Sequence, residues 1–221
     1  MQRRVFITGA SRGIGKEISD AFAALGFEVL APGRQDLDLS QPEQVQAYLA
    51  RVNPEADILV NNAGQNIIQP FAEIDLTTWQ QTLDVNLTSA FLLLQHFSQG
   101  MRARKWGRIV NVSSIYGIVS RAGRASYAAS KEGVHGLTKT AAIELAPFNV
   151  LVNAVAPGFI ATDLTYQNNS PAQIEVLKQA VPMGRLGEPA EVAKLVVFLC
   201  SEDNSFMTGQ TIALDGGFTI T

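Results

Sequence analysis

A glycine-rich turn near the start of the sequence limits the possible folds more than any other feature. The segment TGASRGIG occupies residues 8–15, at the end of the apolar run VFIT (5–8) and before a pattern typical of a helix. Its glycines permit a tight turn, a close approach of the backbone to phosphate groups, and close packing of the helix on the strand. Backbone N–H groups at a helix start also bind anions. The segment therefore predicts a strand–turn–helix unit that holds a pyrophosphate.

Strand and helix patterns alternate along the chain. The predicted strands are almost continuously apolar, as expected for parallel strands that are covered on both faces. This alternation predicts a doubly wound parallel α/β sheet, and the length of 221 residues suits one domain, 1–221. A long segment rich in proline and glycine, 157–189, predicts a functional loop. The predicted strands are 5–8, 28–31, 57–61, 108–113, 150–155 and 211–214, and the predicted helices are 14–25, 42–52, 78–103, 126–146 and 190–200.

Net charge and cysteine content limit the expected partners and the expected cellular compartment. A formal net charge of −3 gives no reason to expect nucleic acid or an anionic membrane as a partner. Cys200 is the only cysteine, so no intramolecular disulfide can form, which fits a reducing compartment. The apolar run 192–200 contains Lys194 and is too short to span a bilayer, and residues 1–10 show no signal-peptide pattern. We therefore expect a cytoplasmic protein.

Ser114, Tyr127 and Lys131 form a second pattern that carries chemistry. Tyr127 and Lys131 lie four residues apart in YAASK, so they share one face of a helix. A nearby ammonium favours the phenolate and lowers the pKa of a tyrosine from its ordinary value of about 10. Such a tyrosine can exchange a proton with an alcohol or carbonyl, and the Ser114 hydroxyl can hold the same oxygen. With the pyrophosphate turn, this pattern predicts hydride transfer between a nicotinamide and a carbonyl–alcohol pair.

The chain resembles the short-chain dehydrogenase/reductase family from end to end. The resemblance implies a seven-stranded Rossmann-type sheet and an NAD(P)-dependent oxidoreductase. Within the family, the sequence most resembles the 3-oxoacyl-carrier-protein reductases. It rests on TGASRGIG (8–15), NNAG (61–64), DVNL around Asn86, IVNVSS (109–114), YAASK (127–131), APGFIATD (156–163) and TGQTIALDGG (208–217).

The resemblance assigns four catalytic positions, Asn86, Ser114, Tyr127 and Lys131. It implies that Tyr127 is the general acid in reduction and that Ser114 orients the substrate oxygen. Lys131 would lower the pKa of Tyr127 and hold the nicotinamide ribose, and Asn86 would position a water that links Lys131 to solvent. Ser113 is the competing serine, but the family's spacing to the tyrosine selects Ser114. No metal is expected, because no ligand cluster accompanies the two histidines, His96 and His135.

The resemblance also implies a set of cofactor-binding residues. They lie in the glycine turn, after the second strand, in NNAG, in the catalytic helix and in APGFIATD. The set is Gly9, Ser11, Arg12, Gly13, Ile14, Gly15, Arg34, Asp38, Asn62, Ala63, Gly64, Tyr127, Lys131, Pro157, Gly158, Ile160 and Thr162.

Arg12 and Arg34 indicate that the cofactor is NADP(H). A fold that prefers NAD places a carboxylate after the second strand, where it binds the ribose 2′-hydroxyl. Gly33 stands at that position, and Arg34 follows it. Two guanidinium groups near the ribose suit a 2′-phosphate.

The sheet edge on this side should be incomplete. Only Arg34 and Gln35 separate EVLAPG from DLDLS, whereas a crossover between parallel strands normally needs a helix. We therefore expect no helix after the second strand, and a rudimentary strand or none at 36–40. The chain should pass directly into the helix at 42–52, with Ser40 as the N-cap and Pro42 in the first turn.

The substrate and partners are less constrained. The leading expectation is reduction of a ketone in a 3-oxoacyl thioester. The alternatives are an alcohol, sugar or steroid dehydrogenase and a non-catalytic NADP-binding regulatory protein. An acyl carrier protein is a possible partner, although only one of the two basic positions that the resemblance implies is present, at Lys105, and Phe148 occupies the other. Small residues along the helix that carries YAASK suggest a homotetramer or homodimer.

Overall fold

Six parallel strands form one sheet in the computed structural model, which describes residues 2–221. The strands lie in the order β2-β1-β3-β4-β5-β6, and each neighbouring pair is parallel. The predicted strands are confirmed, with small differences at their ends. Their bounds are β1 Arg4–Ile7, β2 Glu28–Leu30, β3 Ile58–Asn61, β4 Gly107–Val112, β5 Val150–Pro157 and β6 Thr211–Leu214.

Helices cover both faces of the sheet, as a doubly wound fold requires. Alternate residues of each strand point to opposite faces, so Val5 packs against α1 and α8 while its neighbour Phe6 packs in the cluster under α2, α4 and α5. No helix within residues 2–221 is long and apolar enough to cross a membrane. The helices are α1 Gly13–Ala24, α2 Pro42–Val52, α3 Leu76–Leu83, α4 Ser89–Arg104, α5 Ala125–Leu145, α6 Asp163–Gln167, α7 Pro171–Ala180 and α8 Pro189–Cys200.

The sheet ends at β2 and has six strands within residues 2–221, one fewer than the seven that the resemblance implies, because no strand lies beyond β2. The predicted loss of the helix after the second strand is confirmed, because the chain after β2 makes only a turn. The Gly33 carbonyl accepts hydrogen bonds from Asp36 N and Leu37 N, both at 3.0 Å. Leu37 then enters the core beneath α2. Residues 36–40 contain no strand.

The predicted N-cap of α2 is wrong. Gln41 occupies the N-cap position without a capping side-chain hydrogen bond, and Pro42 begins the helix as expected. Ser40 is held by Asp38 instead, whose carboxylate accepts from Ser40 N at 3.0 Å and from Ser40 Oγ at 2.8 Å. The competing turn around Asp38 therefore removes Ser40 from the helix start.

Two stretches are more divided than their patterns predict. The expected helix 78–103 consists of α3 and α4, joined by a π-helical turn, Asp84–Thr88. The expected loop 157–189 contains α6 and α7. Ser170 and Gln173 form a capping box at the start of α7, with Pro171 in the first turn, a signal that the sequence carries.

Candidate active site

The glycine turn lies at the carboxyl end of β1 and opens α1. Gly9 and Gly13 adopt φ values of +68° and +55°, a region that favours glycine. A Cβ on Gly15 would collide with the carbonyl oxygen of Gly9 and the side-chain nitrogen of Asn62. Ser11 and Arg12 are exposed on the turn, and Ile14 is half-buried at the start of the helix. The turn therefore has the open backbone that a phosphate group requires.

The NNAG segment is bound to this turn through Thr8. The Thr8 hydroxyl accepts hydrogen bonds from Asn62 N and Ala63 N, both at 3.0 Å. The Asn62 side chain donates to the carbonyls of Thr8 at 3.0 Å and Gly9 at 3.1 Å. Asn62 thus braces the turn with its side chain. Gly64, two residues further on, lies against the Lys131 side chain, because a Cβ there would be 3.4 Å from Lys131 Nζ.

The side chain of Lys131, on α5, lies buried at the carboxyl end of β4. Its Nζ donates a 2.9 Å hydrogen bond to the Val112 carbonyl, and the residue is 3% exposed. The structure shows no carboxylate within salt-bridge distance of this ammonium among residues 2–221. Burial therefore lowers the pKa of Lys131 to about 8.

Tyr127 lies one helical turn before Lys131, with the Lys131 ammonium 5.6 Å from the centre of its ring. The expected fall in the Tyr127 pKa is not seen in this structure. Burial raises the pKa of Tyr127, and the Ser114 hydroxyl and the Arg124 charge oppose that rise only in part. The phenol is therefore protonated at neutral pH.

The two adjacent serines have different surroundings. Ser114 Oγ accepts a 3.1 Å hydrogen bond from Tyr116 N and interacts with Tyr127. Ser113 Oγ points under the strand end, where it contacts His135 Nε2 at 2.7 Å and the Lys131 carbonyl at 3.1 Å. Only Ser114 is thus turned towards the phenol, which supports its selection over Ser113.

His135 links this buried serine to solvent. Its Nδ1 contacts the exposed Glu132 carboxylate at 2.9 Å, while Nε2 contacts Ser113. The order serine, histidine, carboxylate is that of a hydrolytic triad, but Ser113 is only 4% exposed and offers no surface to a substrate. Burial lowers the pKa of His135. The network therefore serves a structural role, joining α5 to the end of β4.

Asn86 lies in the π-helical turn, where it holds the chain beside Gly64. Its Oδ1 accepts from Gln65 N at 2.9 Å, and its Nδ2 donates to Gln65 O at 3.0 Å and Ser130 Oγ at 2.9 Å. A cavity of about 10 Å³ lies between Asn86, Asn61 and Asn111, close to the space that one water occupies. π-helical turns are frequent at functional sites, but no pattern in the sequence marks this one.

The two arginines expected at the ribose are both exposed, and Arg34 forms an ion pair with Asp38. Arg12 is exposed at the N-cap of α1, and its side chain makes no capping bond. Arg34 is 79% exposed, with Nε 3.6 Å from Asp38. Hydrogen bonds from Ser40 and the nearby Arg34 lower the pKa of Asp38. Asp38 is therefore an ionised turn-former, and it remains a cofactor-binding residue only as a proposal.

The segment after β5 approaches the glycine turn from the other side. A Cβ on Gly13 would lie 3.4 Å from Thr162 Cγ2. Thr162 is the N-cap of α6, and Ile160 is buried and pairs with Gly187 in an isolated parallel bridge. Pro157 ends β5, and a Cβ on Gly158 would meet Asp215 at 2.8 Å.

An aromatic wall extends from the phenol. The ring centre of Tyr116 lies 6.4 Å from the ring centres of both Tyr127 and Phe159. The ring centre of Phe159 lies 5.0 Å from that of Phe218. A cavity of about 390 Å³ adjoins Phe159 and is also lined by Met183 and Leu214. Sequence reasoning missed Phe218, although it follows the glycine pair at the end of the chain.

The fold thus collects the predicted residues at the carboxyl edge of the sheet. The glycine turn, NNAG, α5 and the segment after β5 border one region beside the protonated phenol of Tyr127. No group of three or more His, Cys, Asp or Glu side chains within the described part of the chain could hold a metal ion.

Comparisons with known proteins agree with this geometry. A family model described as enoyl-(acyl carrier protein) reductase matches residues 35–219. The 3-oxoacyl-[acyl-carrier-protein] reductase FabG of Vibrio cholerae is 40% identical over 96% of this chain and 95% of its own length. The acetoacetyl-CoA reductase of Shinella zoogloeoides is 38% identical over 98% of both chains. The structure of a putative NAD(P)-dependent gluconate 5-dehydrogenase from Beutenbergia cavernae, with bound NADP, is 34% identical with a TM-score of 0.92, over 99% of this chain and 97% of that one.

The alignment with the Vibrio protein spans 235 residues, more than the 221 of this chain. The relative therefore contains residues that have no counterpart here. This difference agrees with the shortened edge after β2, and the family match itself begins at residue 35, just beyond β2.

Proposed function

The chain belongs to the short-chain dehydrogenase/reductase family and is an NADP(H)-dependent oxidoreductase, and we propose that it reduces the ketone of a 3-oxoacyl thioester to a secondary alcohol. The relatives named for 3-oxoacyl-carrier-protein and acetoacetyl-CoA substrates support this substrate class. The observation that carries the proposal is the phenol of Tyr127, kept protonated by burial and placed beside Ser114 and Lys131.

Each catalytic side chain has a role that its surroundings support. NADPH, when bound, supplies the hydride. The Tyr127 hydroxyl donates its proton to the developing alkoxide, and its raised pKa suits an acid that must be protonated at neutral pH. Ser114 binds the same oxygen. Lys131 can replenish the proton of Tyr127, because its own pKa of about 8 lies near neutrality. Asn86 fixes the backbone at Gln65 beside this ammonium.

The backbone around the proposed cofactor site fits a dinucleotide. Side chains are absent where phosphate groups would approach, at Gly9, Gly13 and Gly15, and Gly64 leaves room beside Lys131. Arg12 and Arg34 would bind the 2′-phosphate from the open sheet edge. Ile160 and Thr162 would meet the nicotinamide side, and Tyr127 and Lys131 the adjoining ribose.

The direct test measures NADPH oxidation with acetoacetyl-CoA in wild type and Tyr127→Phe. We expect wild-type turnover and a fall of roughly 10²–10⁴-fold in the variant, with NADPH affinity nearly unchanged, because only the proton donor is lost. Tyr116→Phe is the matched control, since it removes a neighbouring phenol hydroxyl that has no lysine one turn away.

Three results would argue against parts of this proposal. If Tyr127→Phe kept more than about a hundredth of wild-type kcat, Tyr127 would not be the main acid. Turnover of sugar or alcohol substrates without acetoacetyl-CoA turnover would favour a dehydrogenase of another class. NADPH binding without turnover of any ketone would favour a regulatory protein.

NADPH should be preferred over NADH, and Arg34→Asp should narrow or reverse the preference. We expect kcat/KM with NADPH to exceed that with NADH by at least about tenfold, since charge-assisted hydrogen bonds supply such differences. The open edge at Arg34 also predicts that NADPH affinity weakens with added salt. Arg51→Asp, the same charge change on the exposed end of α2, should leave the ratio unchanged. Equal kcat/KM values for the two cofactors in wild type would refute the assignment.

We further propose a homotetramer or homodimer built on α4 and α5. Ile143 on α5 and Phe91 on α4 are exposed apolar side chains, at 77% and 44%, and small residues on α5 permit close helix approach across a two-fold axis. Ile143→Lys should therefore reduce the mass measured by light scattering at micromolar concentration. A monomeric mass for wild type would contradict the assembly.

Docking of an acyl carrier protein would use the surface near Lys105. Lys105 is exposed, but the second position that the resemblance links to acyl carrier protein is Phe148, whose ring lies under Arg102 with 4.5 Å between guanidinium carbon and ring centre. A cation therefore lies near both positions. Comparing kcat/KM for acetoacetyl-CoA and for the acetoacetyl carrier protein tests whether the carrier protein docks.

A further inference from the structure

Arg124 is a partly buried cation without a partner. It is the residue directly before α5 and lies three positions before Tyr127. Within residues 2–221 its guanidinium makes no hydrogen bond and no ion pair, and its Nε is buried without any acceptor. A guanidinium has five N–H donors, so this side chain offers an unused fork of donors beside the active site.

The guanidinium of Arg124 also contacts an aromatic ring. Its central carbon lies 5.3 Å from the centre of the Tyr116 ring, within the range of a cation–π contact. Removing a charged group from water is unfavourable unless the charge is paired. Burial accordingly lowers the pKa of Arg124, although the group stays charged at any physiological pH.

Arg108 shows how this chain satisfies an arginine that serves only structure. Its residue is 3% exposed, and its side chain donates to the carbonyls of Gly107, Asn149, Ser201 and Asn204. Arg124 has no such set of acceptors. Arg124 is only half-buried, so its unpaired donors stay open to solvent or to a bound ligand.

Arg124 lies near the two phenols of the active site, Tyr116 and Tyr127. Its charge acts on both Tyr116 and Tyr127, and residues three apart at a helix start lie on one side, with Cβ atoms about 5–6 Å apart. A ligand whose carbonyl oxygen meets Tyr127 would therefore bring a second oxygen group within reach of Arg124.

We propose that Arg124 forms an oxyanion subsite that binds a carboxylate carried by the ketone substrate, beside the reacting carbonyl. A carboxylate supplies the negative charge and the two parallel acceptors that match a guanidinium fork. The location of the reacting carbonyl rests on the proposed function. The carbonyl of a thioester is a neutral and weaker ligand for the same group, so a free 3-oxo acid uses the subsite fully.

Binding of butyrate and butyramide to the protein·NADP⁺ complex tests the subsite without turnover. The two probes match in shape and differ in charge. By calorimetry we expect butyrate to bind wild type at least about tenfold more tightly, the difference to vanish in Arg124→Gln, and Arg124→Lys to retain part of it. Arg121→Gln removes an exposed neighbouring cation and should preserve the difference.

Equal affinities of wild type for the two probes would overturn the proposal. So would a preference for butyrate that survives in Arg124→Gln, because the general positive field of the complex would then explain it. Loss of the preference in Arg121→Gln as large as in Arg124→Gln would have the same meaning. Far-UV circular dichroism and NADP⁺ affinity show whether each variant is folded. If Arg124→Gln does not fold, the affinity difference in Arg124→Lys provides the test.

A kinetic comparison separates this inference from the proposed function. With acetoacetate and methyl acetoacetate as substrates, Arg124→Gln should lower the ratio of their kcat/KM values at least about tenfold. Absence of acetoacetyl-CoA turnover alongside this change would reject the thioester class and retain the subsite. Turnover of acetoacetyl-CoA with an unchanged ratio would retain the thioester class and reject the subsite.

Discussion

The burial of the Lys131 ammonium at the end of β4 is the constraint on which the rest of the site depends. A cation in this position needs an acceptor, which the Val112 carbonyl supplies at 2.9 Å. Gly64 lies against the same ammonium, since a Cβ there would be 3.4 Å from Lys131 Nζ. The π-helical turn at Asn86 then holds the neighbouring backbone, and α5 places Tyr127 against the same ammonium. Desolvation of the half-buried phenol keeps it protonated, and burial of the ammonium brings the pKa of Lys131 to about 8.

Much of this arrangement follows from local patterns in the sequence. The apolar runs predicted the strands because parallel strands are buried on both faces. The spacing of Tyr127 and Lys131 predicted their shared helix face, and the two-residue gap after EVLAPG predicted the lost crossover helix. These features depend on periodicity or chain length, which a sequence displays directly.

The remaining features depend on contacts between distant segments. The sequence does not show that Asp38 captures Ser40, that the helix breaks at Asn86, or that His135 binds Ser113. The pKa of Tyr127 was expected to fall because the nearby charge was considered without the cost of burial, which is the larger effect in the folded chain. The sequence also does not show that Arg124 lacks a partner, because this depends on the positions of all its neighbours in the folded chain.

The stability of Lys131→Met relative to wild type, measured as a function of pH without cofactor, tests this account most directly. Since the Lys131 pKa is about 8 in the folded chain and 10.5 is its ordinary value, the unfolded chain binds the proton more tightly. The variant should be more stable at pH 7 by about 1–3 kcal/mol. The difference should remain constant below about pH 8 and shrink as the pH rises towards 10.5. A variant that is less stable at pH 7, or a difference that does not change between pH 8 and 10.5, would contradict the account.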